Sequence, residues 1–144
     1  MALKLSTGAK NYALNSGLAT AWDTNGRINI YTGSQPTNGG DAATGTLLAT
    51  LTLSSDAFGA ASGGVITANS ITSDTSADAT GTAGYFILYN STETAPGSAA
   101  GSTDKRITGT VTATGGGGDM TFDSISFTSG GTVALTSLTI TQPG

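Results

Sequence analysis

The chain has no cysteine and no histidine. It therefore holds no disulfide framework, no zinc finger built on those ligands, and no Ser–His–Asp or Cys–His catalytic machinery. The lack of cysteine fixes no redox compartment; it says only that folding does not depend on one. Charge is also scarce: charged residues make up 10% of the chain, against about 25% in an ordinary globular protein. Five Lys and Arg against nine Asp and Glu give a net charge of −4. Phosphate backbones are gripped mainly by Lys and Arg, so this balance predicts no nucleic-acid partner. No apolar run approaches the roughly 18 residues of a membrane span, so no membrane partner is expected. The start, Met1-Ala2-Leu3-Lys4-Leu5-Ser6, lacks the apolar stretch of a signal peptide.

What is present is small and polar. The 144 residues (14.0 kDa) include 22 Gly, 27 Thr and 16 Ser. That length suits one domain with a real core. Hydrophobic residues still make up 37% of the chain and the net charge is small, which argues against disorder.

The only helical pattern lies in residues 6–22. Ser6 or Thr7 supplies a cap, Ala9, Tyr12 and Ala13 recur at helical spacing, and Gly17 interrupts the run. Asp23-Thr24-Asn25-Gly26 signals a turn. Period two then takes over. Residues 27–31 place Ile28 and Ile30 inward. Residues 46–53 place Leu47, Ala49, Leu51 and Leu53 on one face and Leu48, Thr50 and Thr52 on the other. Phe58 is the buried anchor of a small-residue loop, and residues 65–68 form a short strand that Ile71 continues after a kink. Tyr85-Phe86-Ile87-Leu88-Tyr89 is apolar on both faces and belongs at the centre of the sheet, covered on both sides. Residues 105–114 alternate cleanly, with Ile107, Gly109, Val111 and Ala113 against four threonines. Two later runs, 119–127 and 132–142, slip phase at Asp123–Ser124 and Thr136–Ser137, which predicts a turn or bulge at each. The fold class is all-β: an antiparallel β-sandwich or jelly-roll-like barrel of seven or eight short strands with a short N-terminal helix. Residues 1–22 form a helical segment or arm and residues 23–144 the sandwich.

Candidate chemistry is thin. Asp74 with Asp78, and Asp119 with Asp123, are the carboxylate pairs available for acid–base work or for a hard cation. All four sit in turn-like contexts, where Asp side chains bind backbone N–H groups instead. Gly115 to Gly118 before Asp119 has the wrong spacing for a glycine-rich calcium repeat and occurs once. No phosphate loop and no Gly-x-Ser-x-Gly elbow is present. Asn90-Ser91-Thr92 matches a glycosylation acceptor but reads as a strand end. Trp22, Tyr31, Tyr85 and Tyr89 make either a sugar-stacking face or core, and core is favoured because aromatic side chains bury large areas. Lys105-Arg106, the one basic pair, is expected at an exposed strand start or beside an acid. The sequence thus predicts no catalytic, cofactor-binding or metal-binding residues, and no enzyme.

Several segments in order carry a resemblance. They are Leu5-Ser6-Thr7-Gly8-Ala9-Lys10-Asn11, the strand and loop from Ile28 to Pro36, and the stretches from Ala43 to Thr50 and from Phe58 to Gly64. Asp74-Thr75-Ser76-Ala77-Asp78 running on to Phe86, and the tail Leu138-Thr139-Ile140-Thr141-Gln142-Pro143, complete the set. In these the chain resembles a family of small structural proteins from tailed bacteriophage virions. The resemblance implies a non-enzymatic virion protein made in the host cytoplasm. Its first implied role is a head decoration or cement protein on the outer capsid surface. The partners would then be the major capsid protein and copies of itself, with a trimer favoured. A tail or tail-tip component, binding a host surface, is the alternative.

Overall fold

The structure, a computed structural model, describes residues 4–90, 93, 95–102 and 104–142. Helix α1 (Thr7–Ala13) opens where the Ser6 hydroxyl accepts a hydrogen bond from Ala9 N, 3.2 Å away. It runs directly into a π-wound stretch, Leu14–Ala19, that contains Gly17. Gly17 therefore widens the helix rather than ending it. The turn that follows brings Asn25 to φ +55°, a left-handed conformation that asparagine tolerates.

Among the described residues nine strands follow: β1 (Arg27–Thr32), β2 (Leu47–Leu53), β3 (Val65–Thr67), β4 (Ile71–Thr72), β5 (Gly81–Tyr89), β6 (Ile107–Ala113), β7 (Met120–Phe122), β8 (Ser126–Phe127) and β9 (Thr139–Thr141). The main sheet runs β4-β2-β1-β5-β6-β7, with β8 also on β5, and β3 pairs β9 in a separate ribbon. The all-β class with one short helix is as the pattern predicts. So is the central place of β5, which lies between β1 and β6 and is buried on both faces from Tyr85 to Tyr89. The breaks near Asp123 and Thr136 also fall where the phase slips. One separates β7 from β8, and the other leaves Val133 as a single bridge to Asp74 before β9.

Three details differ from the pattern. Residues 65–72 do not form one kinked strand: β3 pairs β9 while β4 pairs β2. A bulge opposite Ile30 and Tyr31 leaves Leu48 unpaired in the register. It turns Leu47 to the face of Tyr31 and puts Leu48 with Ala49 on the face of Ile30. One extra residue reverses the alternation for everything before it, so Leu47 and Leu48 occupy faces opposite to those expected. Finally, β6 and β7 are parallel. A parallel connection this short is uncommon, and glycine makes it possible here. Gly115 and Gly117 have φ of +86° and +75°, and a Cβ on Gly118 would lie 2.8 Å from Thr112 Oγ1.

The sheet has two unlike faces. On one, Ile28, Ile30, Leu51, Phe86, Leu88 and Val111 join Leu14 and Trp22 of the N-terminal segment and Ile66 of β3 in the main core. The second layer of the sandwich is thus the β3–β9 ribbon with the helical segment, not a second full sheet. On the other face, Tyr31, Tyr85, Ile87 and Tyr89 form a smaller cluster with Ala43 and Leu47. The loop 33–46 and the described residues between β5 and β6 lie against it. They bond to each other through Ala43 N to Gly97 O (2.9 Å) and Ala100 N to Gly40 O (2.8 Å).

Candidate functional site

In each candidate carboxylate pair one acid is occupied with backbone. Asp74 accepts from Thr50 N through one oxygen and from Ser76 N through the other, both at 2.9 Å. Asp119 accepts from Thr110 N and from the Thr110 hydroxyl, each at 2.8 Å. Those bonds, the backbone one foremost, hold its carboxyl below the usual range. A general acid needs the opposite shift. Asp123 accepts from the Thr114 hydroxyl at 3.1 Å, and Asp78 is exposed at the end of a loop. Among the described residues no group of three or more potential ligands is placed to hold a metal ion.

The four aromatic residues singled out by sequence are divided by the sheet. Trp22 lies in the main core, fully buried, with its ring 5.8 Å from Phe58 and its Nε1 donating to Lys105 O at 3.2 Å. Tyr31, Tyr85 and Tyr89 lie on the opposite face. Tyr31 and Tyr85 stack at 5.2 Å and 12°. All four are buried, so they form no exposed stacking platform. Tyr85 instead anchors a loop: its hydroxyl accepts from Thr44 N at 3.0 Å. Asn29 ties the face together. Its amide donates to the Tyr31 hydroxyl, and its carbonyl accepts from the Tyr89 and Thr50 hydroxyls. Burial raises the phenol pKa of Tyr31 and of Tyr89.

Arg106 sits beside an acid, as one of the two readings of Lys105-Arg106 anticipates. Its Nε donates to Glu93 at 2.6 Å and a terminal nitrogen pairs with the same carboxylate oxygen. The guanidinium also donates to Asp41 O (3.3 Å), Ala95 O (3.4 Å) and Ser98 O (2.7 Å). One cation thus fastens both covering loops. A cleft of about 560 Å³ opens beside this cluster, lined by Arg27, Asn29, Thr50, Tyr89, Glu93 and Pro96 among others. Sequence reasoning did not single out Glu93 or Asn29. The available signals were that Glu93 is the only glutamate in the chain, and that Asn29 stands between two inward isoleucines on a central strand. The glycosylation triplet falls partly on Ser91 and Thr92, outside the described residues; Asn90 itself is buried.

The beginning of the N-terminal segment is largely exposed. Helix α1 contributes no buried residue. The large hydrophobic side chains most open to solvent, Leu5 (47%) and Tyr12 (74%), both belong to this segment. It is tied to the body by side-chain amides, Asn11 accepting from Gly64 N at 2.8 Å and Asn15 from Ala61 N at 2.7 Å. No helix among the described residues is long and apolar enough to cross a membrane.

Comparison with protein-family models, with curated proteins and with solved structures finds no match to this chain.

Proposed function

We propose that the protein is a non-enzymatic structural component of a phage virion, a decoration or cement protein that binds the outer face of the capsid and stabilises the shell. The observation that carries this reading is helix α1. It buries nothing of its own, yet it presents Tyr12 to solvent on a mount fixed by two amide hydrogen bonds. A helix that leaves a tyrosine outward gains by docking, because tyrosine brings a large contact area at low entropic cost. The sparse charge supports the same reading, since charged residues are depleted at the centres of protein interfaces. Net negative charge suits the outside of a DNA-filled shell better than its lining. One acid of each candidate pair, Asp74 and Asp119, is engaged with backbone N–H groups, which supports a structural use of these carboxylates.

A protein that binds only the assembled state stabilises that state by linkage. Purified protein added to shells that lack it should co-sediment with them and raise the temperature at which they release DNA. Tyr12→Ser should weaken that binding at least tenfold with no change in the protein's own unfolding midpoint. Failure to bind assembled shells, or immunogold label over tails rather than heads, overturns the capsid reading.

A further inference from the structure

We infer that the extended segment ahead of α1, centred on Lys4 and Leu5, docks into a groove between β6 and β9 of a second copy. Lys4, Leu5 and Ser6 lie outside any helix or strand and are exposed, and Ser6 has the extended angles φ −67°, ψ 160°. The groove has a volume of about 320 Å³ and is lined by Phe86, Leu88, Ile107, Leu138, Ile140 and Asp119, among others.

The edges of this groove are open. Ile107 to Thr110 of β6 pair with β5 on one side, while the β7 pairing begins only at Val111. Among the described residues strand β9 pairs with β3 alone. The Thr110 N–H points away from β5 and is already taken by Asp119, which leaves the stretch from Ile107 to Gly109 and the outer edge of β9 for a strand to join. An extended peptide that entered would gain main-chain hydrogen bonds from these short open edges and a pocket for every second side chain, the mode by which strands are added to sheets.

The chemistry selects the occupant. The first 22 residues hold Lys4 and Lys10 and no acid, whereas all nine carboxylate side chains lie in the rest of the chain. A basic, leucine-bearing strand and an acidic body with an apolar groove are complementary surfaces on one molecule. Because donor and acceptor surfaces differ, the contact is head-to-tail and closes into a ring where the rotation permits. This gives a geometry to the self-association that the resemblance implies, and it does not depend on binding to a shell.

The test uses the full chain in the absence of shells. Sedimentation velocity should show an oligomer that dissociates as salt rises, and Leu5→Asp should convert it to a monomer. The groove is tested separately by cross-linking, which the absence of cysteine makes unambiguous. Leu5→Cys mixed with Thr139→Cys under mild oxidation should give a mixed disulfide dimer, well above what either variant gives alone. A monomer at low salt overturns the inference. So does an oligomer that survives Leu5→Asp, or a mixture that yields no mixed dimer. A monomer that still binds shells would remove this inference and leave the capsid reading standing.

Discussion

The guanidinium of Arg106 and the carboxylate of Glu93 are paired beneath the loops, with side chains only 2% and 3% exposed. The remaining donors of Arg106 go to main-chain carbonyls of Asp41, Ala95 and Ser98. A charge buried this far is tolerable only with its partner in place, because the desolvation cost is large.

Arg106→Met should therefore destabilise by about 3–5 kcal/mol, since it leaves the Glu93 carboxylate buried and unpaired. The cost is raised by the second carboxylate oxygen, which is buried with no hydrogen-bond partner among the described residues. Combining Arg106→Met with Glu93→Leu should recover a substantial part of the loss. Urea unfolding of the four members of this cycle gives the coupling directly. An additive double variant would show that the two side chains act independently.

Trp22 closes the N-terminal segment yet is fully buried among Phe58 and the main core. The segment should consequently unfold together with the sheet. Trp22 is the only tryptophan, so its fluorescence should change over the same denaturant range as the β signal in circular dichroism. Trp22→Ala should cost about 3–5 kcal/mol, the usual range for emptying so large a core site. Two separated transitions would show instead that residues 1–22 pack as an independent unit.

These two sites mark how far the sequence could be read. Period-two patterning located β1, β2 and β6, and a continuous apolar run located β5, because apolar burial on one face or on both leaves a trace in the sequence. Leu47 and Leu48 were misassigned because a bulge inserts a residue without changing composition. The parallel β6–β7 pair was hidden because its connection, Gly115 to Gly118, reads simply as a turn. Arg106 and Glu93 stand 13 residues apart, and an ion pair formed by loop folding carries no periodic signal. Only the Asp74–Ser76 contact is a local cap of the kind a turn motif announces; Asp74 also reaches Thr50, 24 residues away, and Asp119 and Asp123 bind threonines nine residues away across the β6–β7 turn, partners that no local motif names.

The connection between β6 and β7 gives a sharp test of backbone demand. At Gly118 a methyl group would meet Thr112 Oγ1 at 2.8 Å and Thr112 Cγ2 at 2.9 Å, while Gly118 N donates to that same hydroxyl. Gly118→Ala should cost about 1–3 kcal/mol through overpacking. At Gly39 an added Cβ meets nothing within 4 Å. There the alanine should be neutral or stabilising by up to about 1 kcal/mol, because it restricts the unfolded chain. Thermal unfolding of both variants separates the two, and equal effects would remove the steric account of the parallel turn.

Stability should fall at both ends of the pH scale, for opposite reasons. The Asp119 carboxyl is held below its ordinary value of 3.8 by hydrogen bonds from Thr110, the backbone one foremost. A group depressed on folding contributes stability above its unfolded pKa, and that contribution disappears as pH drops through the folded value. Asp119→Asn should accordingly flatten the acid limb of the stability curve. Tyr31 and Tyr89 are raised above 10.0, chiefly by burial. The folded state holds those protons more tightly than the unfolded chain does, so their contribution is complete below about pH 10 and is lost as pH rises beyond it. Phenolate absorbance should thus show these two tyrosines ionising together with alkaline unfolding. In Tyr31→Phe the alkaline midpoint should move upward relative to the neutral-pH stability of the same variant. A smooth phenolate titration of Tyr31 and Tyr89 with the fold intact would show that the Asn29-centred face is open to solvent.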